Sequence, residues 1–308
     1  MQRYIARRLL AVIPTLLGVS LLVFAALRFL PGDALAAMFV DTGGVSQETI
    51  EEIRRQLGLT EPFWVQYARF IGGAVKGDLG RSIYNRQPVM EAIMTQLPTT
   101  IEVTLAGLGV AVVMGVVLGT MAAVWQNSWI DTVSMALALV GVSMPSFWLG
   151  LLLMFAFSLK LGWLPSIGQG GIKRLLMPAF TLGFQAAAII ARLVRSSLLE
   201  VLREEYMTTA RAKGLHERTI LLRHGLRNAL VPVTTVIGLQ FGGLMAGTVI
   251  IETVFARRGV GRLLVEAIVL RDYTVVQGVI LMVAAIYVAV NLLVDLSYAF
   301  LDPRIRYR

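Results

Sequence analysis

The chain has 308 residues, of which 56% are hydrophobic and only 15% charged, with a mean hydropathy of +0.73. A soluble globular chain carries about 25% charged residues, so this composition excludes a soluble enzyme, a disordered chain and collagen, and leaves a polytopic membrane protein. The formal charge of +9 reads as arginine gathered on cytoplasmic loops facing anionic lipid, not as a nucleic-acid surface. The sequence has no cysteine, hence no disulfide, thiolate metal site or cysteine nucleophile.

The first predicted span covers residues 9–27, uncharged throughout and bracketed by Arg8 and Arg28. As a helix it rises roughly 28 Å, about the thickness of the hydrocarbon core. Its apolar run exceeds the core of about 7–15 residues expected of a signal peptide, so Ala34-Leu35-Ala36 is not read as a cleavage site. Residues 31–98 predict an extracytoplasmic helical cap. Ile50, Ile53 and Leu57 recur at i, i+3 and i+7, with Gly58 as a stop. Pro62 starts a second cap helix carrying Trp64, Tyr67, Phe70 and Ile71. Pro88 starts a third, with Val89, Ile93 and Leu97.

Five more spans follow, at 103–124, 133–159, 175–191, 229–251 and 275–301. Pro14, Pro145 and Pro232 lie inside or near span ends, which membrane helices tolerate when neighbours satisfy the freed backbone. Gly107, Gly115 and Gly119, and likewise Gly238, Gly242, Gly243 and Gly247, predict close helix approaches. Ser143, Met144 and Pro145 are candidates to line a translocation path, because proline breaks the helix and frees polar backbone. Thr234, Thr235, Gly238 and Gln240 in the fifth span are comparable candidates.

Six spans place three basic regions on one side, assigned as cytoplasmic. They are the N-terminus (Arg3, Arg7, Arg8), the C-terminus (Arg304, Arg306, Arg308) and segment 192–228, with Arg192, Arg195, Arg203, Arg211, Lys213, Arg218, Arg223 and Arg227. The loop 125–132 belongs on that side yet has no Lys or Arg. The opposite side holds Arg257, Arg258, Arg262 and Arg271. Among acids in the spans, Glu102 with Thr99 fits a capping box at the start of span two. Asp295, one turn after Asn291, is read as a structural group near the cytoplasmic surface. The two histidines, His216 and His224, both lie in the loop. That disfavours a proton-driven secondary carrier, and their spacing does not make the His-Glu-x-x-His helix of an intramembrane metalloenzyme.

Segment 192–228 is too long for a turn and is patterned as helix. It contains Glu205-Tyr-Met-Thr-Thr-Ala210-Arg-Ala212-Lys-Gly214-Leu215, then Arg223-His-Gly-Leu-Arg227-Asn228-Ala-Leu-Val-Pro232. Here the sequence resembles the inner-membrane permeases of binding-protein-dependent ABC importers, whose signature is a Glu-Ala-Ala loop with a downstream glycine and a proline entering the next span. Glu205, Ala210, Ala212, Gly214 and Pro232 match in type and order; Tyr206 replaces the first alanine, as is usual in the peptide branch. Arg7-Arg8-Leu9-Leu10, Ile13-Pro14-Thr15, Leu30-Pro31-Gly32-Asp33, Gly77-Asp78-Leu79-Gly80, Ser143-Met144-Pro145, Arg271-Asp272-Tyr273 and the end Leu301-Asp-Pro-Arg-Ile-Arg-Tyr307 look like the B-type subunit of dipeptide and oligopeptide permeases.

The resemblance implies an all-α, six-helix permease of the type I importer fold, one domain over 1–308, multi-pass in the inner membrane with both termini cytoplasmic. It implies uptake of di- or oligopeptides, with nickel or glutathione as the alternative cargo, and no catalysis on this chain. The implied partners are a paralogous C-type permease subunit, two ATP-binding subunits and an extracytoplasmic substrate-binding protein, within membrane lipid and without nucleic acid. ATP and Mg would be held by the partner subunits; no Gly-x-x-x-x-Gly-Lys-[Ser/Thr] occurs here. Residues 192–228 would form the coupling loop, in which Glu205, Tyr206, Ala210, Arg211, Ala212, Lys213 and Gly214 meet the ATPase. Small Ala210 and Ala212 would allow close approach, Gly214 would end the helix in a left-handed conformation, and Glu205, Arg211 and Lys213 would form charge pairs.

Overall fold

A computed structural model of the chain describes residues 2–29, 47–56, 58 and 60–301. The motif at 30–33, the Ala34–Ala36 site, Leu57 and the C-terminal arginines lie outside the described residues, as do the side chains of Ile50, Ile53 and Asp295. Eleven helices follow one another among the described residues: α1 (Gln2–Phe29), α2 (Gln47–Gln56), α3 (Phe63–Val75), α4 (Val89–Val124), α5 (Trp129–Ser143), α6 (Ser146–Lys160), α7 (Ile172–Leu202), α8 (Glu205–Ala212), α9 (Glu217–Val254), α10 (Val260–Val269) and α11 (Tyr273–Leu301). Among the same residues the extended pairing is a single isolated bridge, Arg81 to Pro88. Helices α1, α4, α7, α9 and α11 are each long and apolar enough to cross a membrane, and the pair α5–α6 makes a sixth span if counted as one.

The helices outrun the apolar stretches that announce them. The third cap helix and the second span are one helix, α4, which starts after Pro88 and passes through Pro98 without ending. Thr99 is therefore interior to α4, and the capping box predicted at Thr99 and Glu102 does not form. Helix α7 likewise continues past Ala191 to Leu202, burying Val194, Ser197 and Leu198 on its inner face. Pro145 behaves differently. Met144 before it is extended, at φ −85° and ψ 124°, the conformation that proline imposes on its predecessor. Pro145 then opens α6, its carbonyl accepting from Trp148 and Leu149 N–H. The two half-length helices meet at 109°.

The chain, read from sequence as one domain, divides into two compact units. One comprises Met1–Pro98 with Arg258–Leu292. Its core is Leu79, Val89, Ile93, Val260, Val275, Val276 and Val279, so the predicted cap shares a core with α10 and α11. Phe24 of α1 stands edge-on to Phe63 and Tyr67 and stacked on Phe70 of α3, with ring centroids 5.2 to 6.0 Å apart. Ser20 and Tyr67 hydroxyls hydrogen-bond at 2.9 Å. Two sequence motifs find structural roles here. Asp78 accepts from Gly80 N–H in the turn before α4. Asp272 accepts from Val275 N–H at the start of α11 and from the buried Ser82 hydroxyl.

The other unit comprises Thr99–Arg257 with Leu293–Arg308. Helix α7 is its axis, burying Leu182, Ala186, Ala187, Ile190 and Val194 against Val103, Ala111, Val233, Leu244 and Ile251. Glycine sets the approach of α4: a Cβ on Gly115 would stand 2.6 Å from Ile190, and one on Gly119 2.5 Å from the Ala191 carbonyl oxygen. The stripe read from the sequence is therefore the α4–α7 contact, the small-residue packing expected of helices in lipid. Gly183, on the facing side, belongs to the same contact and had no pattern to announce it.

Candidate functional site

In the second unit, polar side chains concentrate at two opposite ends of the helices. At one end Asp131, at the start of α5, is 6% exposed. It receives both Nε and Nη2 of Arg195 from α7 at 2.7 Å, while Ser128 caps α5 and Asn127 N–H donates to the same carboxylate. The ion pair thus neutralises the one acid of loop 125–132 and holds that loop at the same end of the bundle as the arginine-rich segment.

At that end stands α8. Met207 is fully buried and packs with Ala210, Ile220 and Leu202. Glu205, Thr208, Thr209, Arg211, Ala212 and Lys213 are exposed. The spacing explains this split, since Met207 and Ala210 lie three apart on one face. Ala210 therefore corrects one expectation: its small side chain fits α8 to this chain's own Ile220, and of the two alanines only Ala212 is presented outward. Tyr206, itself exposed, accepts a hydrogen bond from Asn228 Nδ2 at 2.9 Å and ties α8 to α9. Arg211 pairs with Glu217 at 2.9 Å, so of the expected charges Glu205 and Lys213 remain without a partner among the described residues. Gly214 closes the helix at φ +76°, its N–H donating to the Arg211 carbonyl. A Cβ there would meet nothing within 4 Å, so the glycine answers to backbone conformation alone. Beyond it, Ile220–Leu226 winds as π-helix before α9 resumes.

The opposite end holds a polar cluster that sequence reading missed. Glu252, near the end of α9, is fully buried and accepts from the Thr100 hydroxyl of α4 at 2.6 Å. Arg257, 1% exposed, donates through Nη2 to Glu102 at 2.6 Å and through Nη1 to the Arg174 carbonyl at the start of α7. Glu102 is thus an ion-pair partner of Arg257, not a capping residue. A signal existed: Glu252 stands at the end of an otherwise uncharged stretch of α9, and ionisable groups in spans are rare and paired.

The path candidates are scattered. Ser143 and Pro145 are exposed at the α5–α6 bend, with Met144 half-buried. Thr234 bonds back to the Val231 carbonyl of its own helix, and Thr235 is half-buried. Gly238 packs on α11, where a Cβ would stand 2.6 Å from Val294; this is a packing position. Gln240 keeps its Nε2 buried with no hydrogen-bond partner among the described residues.

Two family models match the chain. Residues 115–307 match the binding-protein-dependent transport system inner membrane component, and residues 1–104 match the N-terminal part of that membrane component. The chain belongs to this family. Full-length relatives include the glutathione transport system permease protein GsiC of Escherichia coli O6:H1, of Escherichia coli K12 and of Shigella dysenteriae serotype 1, each 44% identical over 308 residues and covering all of both chains. A crystal structure of an amino acid ABC transporter with histidines matches at a TM-score of 0.52 and 16% identity, covering 70% of this chain and 94% of that one; this shows the fold alone. The chain is an all-α, multi-pass inner-membrane permease of a binding-protein-dependent ABC importer.

Proposed function

We propose that this permease forms half of the translocation path of an ATP-driven importer of short peptides, with glutathione, itself a tripeptide, as the first cargo to test. The observation that carries the cargo class is the full-length 44% identity to glutathione permeases, joined to the peptide-branch motifs of the sequence. A paralogous permease would supply the other half of the path. Two ATPases would bind and hydrolyse ATP with Mg, and an extracytoplasmic binding protein would deliver cargo.

In this reading α8 is the coupling helix. Its exposed face, with Glu205, Ala212 and Lys213, docks on the ATPase, while Met207, Ala210 and the Tyr206–Asn228 hydrogen bond transmit displacement to α9. Asp131–Arg195 joins α5 to α7 at that same end, so the bundle moves as a body. Both termini lie on the coupling side, the cytoplasm. The bend at Pro145 and the polar positions Thr235 and Gln240 offer backbone and side-chain polarity to a zwitterionic cargo, whose charges are costly to bury unpaired.

The test is competitive uptake into proteoliposomes holding the complete complex. Labelled glutathione should enter with ATP and be displaced by unlabelled tripeptide but not by nickel. Import of nickel without glutathione or peptide would reject the peptide class and leave the importer reading intact.

A further inference from the structure

The unit built on Met1–Pro98 and Arg258–Leu292 contains a cavity of about 740 Å³. Its lining includes Arg28, Arg69, Lys76, Arg81 and Arg86, against one acid, Asp78. Arg69 is already paired with Glu61 at 2.7 Å. The other four cations have no carboxylate partner among the described residues. Arg28 lies over the Phe24 ring at 4.7 Å and donates to the neutral Gln66 side-chain oxygen; Arg81 donates to the Arg86 carbonyl. Asp78 is engaged by Gly80 N–H. A second observation is independent of charge: Gln277 of α11 lines the same cavity, is 6% exposed, and its Nε2 has no hydrogen-bond partner among the described residues. A buried donor left unmatched costs about 1–3 kcal/mol unless something accepts from it. Four cations and an unanswered N–H call for an oxyanion.

A second cavity, of about 350 Å³, adjoins the first through their shared residue Leu79. Its lining is apolar apart from Ser20, with Leu16, Leu17, Ile71, Val75, Met90 and Met282 among its residues. The depth relation is set by α1. Arg28 ends the uncharged run and so marks headgroup level, while Ser20 and Ile13 lie roughly 12 and 22 Å further along the helix. One leaflet of hydrocarbon is about 15 Å thick, half of the core. The basic cavity thus meets the headgroup level at Arg28, and the apolar groove runs from Ser20, inside that leaflet, to Ile13, past the bilayer midplane.

We propose that this pair of cavities is a binding site for an anionic phospholipid. The phosphate accepts from Arg28, Lys76, Arg86 and Gln277, and an acyl chain fills the groove between α1, α3 and α11. The lipid thereby joins the cap to the first and last spans, independently of which cargo is carried.

The test uses the full-length chain in vesicles of phosphatidylethanolamine and phosphatidylglycerol, extracted and weighed by native mass spectrometry. Phosphatidylglycerol should be retained in preference to phosphatidylethanolamine. A Lys76→Gln, Arg86→Asn double variant should cut that preference about tenfold, the effect of losing charged hydrogen bonds. Both residues are exposed, and asparagine suits the φ of +63° at position 86, so folding should survive. Ala285→Phe, which fills the groove, should lower retention with every cation in place. Equal retention of both lipids by the unaltered chain would overturn the proposal. So would an undiminished preference in the double variant, or lipid displaced by inorganic phosphate with Ala285→Phe having no effect, which would mark a free-anion site.

Discussion

Gly214 is the residue whose role is most cleanly separable. It adopts φ +76° in open space, so a side chain there adds strain and no clash. Gly214→Val should strain the turn by about 1–2 kcal/mol and misdirect α8, abolishing transport with normal membrane insertion. Gly214→Asn, which tolerates the left-handed region, should keep most activity. Uptake by both variants in matched proteoliposomes decides this; equal activity would remove the turn from the mechanism. Single residues were legible in the sequence where they answer to their own backbone, as at Gly214 and Gly58, at φ +67°. They were opaque where the partner is distant in sequence. Nothing local tells that Ala210 faces Ile220, that Glu102 meets Arg257, or that Arg195 pairs with Asp131.

Hydrophobic runs located the candidate spans found among the described residues but mislaid the ends of most helices. Membrane helices do not stop where apolarity stops; α4, α7 and α9 continue because their polar turns still pack or pair inside the protein. Proline was ambiguous for the same reason. Pro98, Pro178 and Pro232 stay within helices, whereas Pro145 breaks one into α5 and α6. Glycine spacing was more informative at Gly107, Gly115, Gly119, Gly238 and Gly247, where a Cβ would stand within 3.0 Å of a neighbour, but not at Gly243, whose nearest atom is 3.9 Å away. Gly115→Leu should force α4 off α7 at Ile190 and Ala187, where a Cβ would already stand at 2.6 and 2.9 Å. Overpacking of this kind costs about 1–3 kcal/mol. Thermal unfolding of the purified variant should shift downward, while Gly109→Leu, in open space on the same helix, should leave the transition unmoved.

For the molecule as a whole, composition and the ordered motifs revealed an importer permease, and the family match establishes it. Sidedness is an expectation from the arginine-rich segment 192–228 and the two termini. The natural absence of cysteine makes it measurable: a cysteine at His216 should label only from the cytoplasm, and one at the exposed Trp64 only from outside. Two-sided labelling in sealed cells would contradict the six-span topology. In the proposed mechanism this chain conducts cargo and receives its energy through α8. The decisive experiment reconstitutes the chain with its paralogue and binding protein, with and without the two ATPases, and measures glutathione uptake. Uptake should require the ATPases and hydrolysable ATP, and should fall to background when Glu205→Lys reverses the exposed charge of α8. ATP-independent accumulation of cargo by the permease chains alone would show that the energy does not enter through α8.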